Sequence, residues 1–226
     1  MAPMRELEMA EWLQHYLPSI PPMWGEGSTC WIERMKTRRA EHNPPFYWLG
    51  RALDLVEADG ASEVMRARLL AAHGDEVCHR GERDDAAQRV LSEACAFAWT
   101  HTHLGVPTIE AAAPGTSIES DRIRLAVPDH ETYVLPARLR VANAMRPIFD
   151  DIADEAQLAA DLLPRVSGRL LYLDMWYVRE YPNSVGYDLD LTEPVQAALR
   201  HSCSEQHIGH VFTRPFQWGN PVETHY

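Results

Sequence analysis

The residues nearest to a ligand pattern lie close to the C-terminus. His201, Cys203, His207 and His210 follow one another at intervals of two, four and three positions. Thiolate and imidazole are the usual ligands of zinc, and spacings of three and four converge on a helix. Helical periodicity ends near Cys203, however, and no CxxC pair completes the set. A polar helix end running into a strand accounts for the same residues. A second string, His73-x2-Glu76-x2-His79, contains one Glu-x-x-His. Di-iron helices need a second copy and two further glutamates, and no convincing second copy is present. The absences narrow the chemistry. There is no GxGxxG or Walker A loop, so the common phosphate cradles are missing. GxSxG, SxxK and HExxH are missing too, which removes the commonest serine-nucleophile and zinc-protease signatures.

These residues must be held by a chain of 226 residues, 46% hydrophobic and 24% charged. Such a chain buries about 70% of its unfolded surface and needs no disulfide staples. No apolar run reaches the ~18 residues of a membrane helix, so no membrane association is expected. The net charge is −12 and the pI is near 5.3. An acidic surface disfavours nonspecific phosphate binding, which relies on lysine and arginine, and suits a basic partner. Lys36 is the only lysine, so a mechanism that needs one has a single candidate. The four cysteines are scattered and the N-terminus lacks a secretory pattern. Reduced thiols in a cytoplasmic protein are expected.

Apolar spacing predicts a helical N-terminal region over 1–80 and an α/β domain over 81–226. A long helix is expected over Glu82 to His103, closed by Gly105. Short strands follow, over Val106 to Ala111, Asp121 to Val127 and Thr132 to Val141. In the second, Ile123, Leu125 and Val127 alternate with Arg122 and Arg124. Ala142 to Leu163 reads as helix. The dense apolar run after Gly168 reads as a strand buried on both faces. A helix from Glu193 to about Cys203 and a strand over Ile208 to Thr213 complete the domain. Pro136 cannot donate to a ladder, which argues for an edge or bulged position. Trp176-Tyr177 and Phe216-Gln217-Trp218 suit a core, a base-stacking surface or a protein interface.

The order helix, strand, strand, strand, helix, strand resembles the core of the restriction-endonuclease-like, or PD-(D/E)xK, superfamily. The likeness covers Glu82 to Tyr177, under half of the chain. It rests on Glu93 in the helix, Gly105 before the first strand, Asp121 at the head of the second and Tyr133-Val134-Leu135-Pro136-Ala137-Arg138 in the third. Ala156-Gln157-Leu158 and Gly168-Arg169-Leu170-Leu171-Tyr172-Leu173 complete it. The resemblance implies Mg²⁺ held by carboxylates, with Asp121 and Glu93 as the metal ligands. It also implies an acid and a lysine two residues apart on the third strand. That strand departs from the pattern. Glu131 lies near its start with Tyr133 at +2, and Arg138 keeps a positive charge but is a poor general base. Taken singly, Asp121 also reads as a turn residue and Glu93 as a helix-surface residue.

The expectation is therefore a mixed α/β protein with a restriction-endonuclease-like core and a degenerate site. It would serve as a nuclease-like subunit that binds rather than cuts, in a bacterial nucleic-acid system such as defence, repair or a mobile element. A protein partner is expected, with nucleic acid as a further ligand. The alternatives are an acidic interaction or immunity-type protein that binds a basic partner, and a metal-dependent nuclease with a relocated site. In the last case Glu93, Asp121, Glu131 and Arg138 would be the catalytic set.

Overall fold

The computed structural model describes residues 52, 55–61, 63–65, 67–68, 80–112, 122–138, 148–166, 168–174, 192–213 and 221–225. Two compact units result, Met1–Ala98 and Trp99–Tyr226, divided inside a long helix. The sequence reading divides instead at 80/81, where that helix begins. The described part of the first unit is helical over 55–58 and 63–65. Most of the expected N-terminal helices lie outside the described residues.

Helix α1, Arg80–His103, ends where Gly105 takes a φ of +112°. The Leu104 and Gly105 amides both donate to the Thr100 carbonyl, at 2.7 and 3.1 Å. A side chain at Gly105 would be strained in that conformation. The expected closing glycine is therefore present. Strands β1 (Thr108–Ala111), β2 (Ile123–Val127) and β3 (Thr132–Arg138) follow, then α2 (Ile148–Leu162) and β4 (Gly168–Asp174). Helix α3 (Thr192–Glu205), β5 (Gly209–Thr213) and β6 (Pro221–His225) end the domain. The class is mixed α/β, and the expected helix, strand, strand, strand, helix, strand succession runs from α1 to β4. Strand β6 was not expected. Its five residues carry no apolar alternation.

The six strands form one sheet in chain order. β1, β2 and β3 are antiparallel neighbours, β3, β4 and β5 run parallel, and β6 returns antiparallel. Parallel neighbours need a crossover, and α2 and α3 supply the two. The dense run in β4 is buried on both faces, as expected for a strand inside such a sheet. The close fit also fixes a glycine. A Cβ on Gly168 would stand 2.9 Å from the Cα of Thr132, its register partner on β3.

One face of the sheet is packed by α2 and α3. Ile152, Ala156, Ala159 and Leu163 recur at helical spacing, as do Val195, Leu199 and Cys203. Both stripes meet Leu135 and Ala137 of β3, Leu171 and Leu173 of β4, and Phe212 of β5. Arg122 and Arg124 point away from Ile123 and Leu125, as their alternation predicts, but they meet α2. Arg122 forms a two-bonded ion pair with Glu155, at 2.7 Å for each bond. Arg124 donates to Glu110 at 2.8 Å and to the Leu162 carbonyl at 3.4 Å. Its guanidinium also lies 5.3 Å over the Tyr133 ring. From β4, Arg169 donates to the Ala160 carbonyl at 2.9 Å.

The position of Pro136 corrects the edge expectation. β3 is the third of six strands, so Pro136 lies inside the sheet. Its pairing with β2 nevertheless stops at Val134, whereas pairing with β4 continues through Arg138. The proline falls where β3 has already parted from one neighbour, and there a missing amide is tolerated.

Candidate functional site

The residues singled out in the sequence fall into separate places. Glu93 is buried near the end of the first unit. Its two carboxylate oxygens accept from Arg68, Oε2 from Nε at 2.9 Å and Oε1 from Nη2 at 2.8 Å. This fork-to-carboxylate pair is among the stronger charge-assisted contacts, and it gives Glu93 a structural duty rather than the helix-surface position weighed for it. Asp121 lies outside the described residues. Glu131 is exposed in the turn between β2 and β3, with φ at +45° and its amide donating to the Pro128 carbonyl at 3.2 Å.

The C-terminal candidates face different surroundings. His201 is exposed on α3, with Nε2 3.5 Å from Glu205. Cys203 points inward among Leu199, Ile208 and Phe212. Burial pushes its thiol up to about 12, so it is a protonated apolar group at neutral pH. His207 sits just past the helix with φ at +54°. Its amide donates to the Ser204 carbonyl, and that of Ile208 to the Cys203 carbonyl, at 3.2 and 3.0 Å. That pair of bonds is the Schellman ending, with histidine where glycine is usual. His210 is buried in β5 opposite Leu171. Among the described residues, no three or more His, Cys, Asp or Glu side chains are gathered as a metal ion would require. Of the two carboxylates expected to hold Mg²⁺, Glu93 is engaged by Arg68 and Asp121 lies outside the described residues.

Arg138 is the candidate that the fold places among other polar groups. On β3 it alternates with Leu135 and Ala137, so it shares the opposite face with Pro136. Its register partner on β4 is Asp174. One strand further, the Thr213 hydroxyl donates to Asp174 Oδ1 at 3.1 Å. Arg138 is 7% exposed, and Asp174 and Thr213 are fully buried. Three parallel strands thus end on the same face in an arginine, an aspartate and a threonine. In open α/β sheets, ligands bind beyond the carboxyl ends of the strands. The same face carries Tyr172, whose ring lies 6.0 Å from that of Trp99 in α1.

Neither Asp174 nor Thr213 was singled out in the sequence. Each closes an apolar run, Leu-Leu-Tyr-Leu-Asp and His-Val-Phe-Thr, and reads as the point where a strand leaves the core. A signal was present. An aspartate at an even offset from Leu170 and Tyr172 must share their buried face if the strand continues through it.

No protein-family model matches the chain, and no curated protein or solved structure does either.

Proposed function

We propose that the domain is a restriction-endonuclease-like core without its catalytic motif, acting as a binding subunit in a bacterial, cytoplasmic system that handles nucleic acid. The observation that carries this reading is the third strand. Pro136 and Arg138 stand two residues apart on the face turned from α2 and α3, the spacing of an acid and its lysine. The proline removes the acid and the arginine keeps only the charge. The order of elements from α1 to β4 supports the core, with its antiparallel second strand and its parallel third and fourth. Cys95 and Cys203, both buried and neither in a disulfide, suit a reducing compartment. No described helix is long and apolar enough to cross a membrane.

The test is cleavage of labelled single- and double-stranded DNA and RNA with Mg²⁺ or Mn²⁺. The wild-type chain is expected to bind without cutting. The double variant Pro136→Asp/Arg138→Lys rebuilds the acid and lysine on one face and is expected to gain metal-dependent cleavage. Wild-type cleavage that disappears in Asp121→Ala would instead establish a working nuclease with a relocated site. A folded double variant without cleavage would count against the core assignment.

A second reading, an acidic module for a basic protein, is favoured by where the charges lie. Arg122, Arg124 and Arg169 are engaged between sheet and α2. Asp150, Asp154 and Asp161 are exposed on the outer side of the same helix. This reading takes over if the rebuilt variant stays silent and the chain binds no nucleic acid.

A further inference from the structure

Strand β1 closes the sheet on one side, and among the described residues no strand lies beyond it. Its pairing with β2 settles which of its backbone groups are used. The Ala112 amide donates to the Arg122 carbonyl at 2.8 Å, and these two residues are the next partners in the β1–β2 register. They form a hydrogen-bonded pair, and such pairs alternate along an antiparallel ladder. Glu110 and Thr108 therefore turn their amides and carbonyls towards β2. Ile109 and Ala111 turn theirs outward, where no backbone group among the described residues meets them. Pro107 has no amide to offer, so the outward ladder begins at Ile109.

The edge is short, but charge does not guard it. Natural edge strands are commonly protected by unpaired charged side chains. The one charged residue of β1 is Glu110, and Arg124 donates to its carboxylate at 2.8 Å. Thr108 and Ala111 are exposed uncharged residues, and Val106, two positions before the strand, is 59% exposed. In a chain of net charge −12 this edge is locally neutral. A basic partner finds no unanswered charge here, whereas a second copy meets no bare one.

The outward groups also answer one another. A two-fold axis at Glu110 sets Ile109 opposite Ala111 of a second copy, and Ala111 opposite its Ile109. All four outward amides and carbonyls of each copy are then used, in four hydrogen bonds. The two Glu110 side chains meet across the axis as ion pairs, each keeping its own Arg124. We propose that two copies of this chain pair through β1, antiparallel about Glu110, into one continuous sheet. The pairing is independent of the proposed function.

Sedimentation of the full chain in reducing buffer, from low micromolar to the highest soluble concentration, is expected to show a monomer–dimer equilibrium. The dimer should be weak, since the paired segment is short. Ala111→Pro removes one outward amide from each copy and no bond to β2. It is expected to abolish the dimer and to change the melting temperature of dilute protein little. If that variant does not fold, amide exchange in the wild type decides. The Ile109 and Ala111 amides should exchange fast in dilute protein and become protected as concentration rises, while the Glu110 amide is protected throughout. A monomer at every concentration overturns the proposal. So does a dimer that survives Ala111→Pro, or one that leaves the two amides unprotected. Growth beyond the dimer overturns it as well, because joining β1 to the opposite edge, β6, gives an open chain of copies rather than a closed pair.

Discussion

The two faces of the sheet are buried by different means. Against α2 and α3, Leu135, Ala137, Leu171, Leu173 and Phe212 meet apolar helix stripes. On the other face the same strands close with Arg138, Asp174 and Thr213, equally hidden from solvent. The first face is what a hydrophobic pattern produces unaided. The second is costly, because each buried polar group needs a partner to offset its lost hydration. Both faces contribute to stability, since Val134, Leu170, Tyr172 and Val211 are buried on the second face as well; what sets that face apart is the polar ending of its three parallel strands.

Substitutions can break that division. Leu171→Ala, at the centre of the helix-packed face, should have the largest effect. It removes a fully buried side chain and is expected to cost about 2–5 kcal/mol in urea unfolding. A loss below 1 kcal/mol would mean that this core is loosely packed. Thr213→Val keeps the shape and removes the donor to Asp174. The expected cost is about 1–3 kcal/mol, since it leaves a buried acceptor short of one bond. A neutral or stabilising result would show that the hydroxyl does not support the carboxylate.

The smallest effect near neutral pH belongs to Cys203. Its thiol is raised from 9.0 to about 12 by burial. Between those values the folded chain holds a proton that the unfolded chain has released. Stability contributed by this group is therefore intact below pH 9 and falls as pH rises from 9 towards 12. Cys203→Ala should flatten that slope in alkaline unfolding curves while changing little of their shape near pH 7. An unaltered slope would assign the alkaline loss to other groups.

Much of the fold could be read from the chain, for definite reasons. The alternation of Ile123, Leu125 and Val127 with two arginines marked β2 correctly, because one side of that strand is apolar. Gly105 marked the end of α1, because a residue at φ +112° is strained with any side chain. The failures have equally local causes. β6 is short and polar, and only its pairing with β5 makes it a strand. Pro136 suggested an edge because sequence shows the missing amide but not that β2 pairing stops at Val134. The candidate site was the least legible part. Arg138 stood out only through its place in a familiar pattern.

The contacts between α2 and the arginines bear on how the domain forms. This helix has no basic residue in its last turn, and its final carbonyls face the helix dipole without local help. Arg169 and Arg124 reach them from β4 and β2 instead. The helix is thus completed by strands on either side of it in the chain, one before and one after. An isolated 148–162 segment would fray at that end. The last carbonyls of the helix therefore gain these donors only once β2 and β4 are in place beside it.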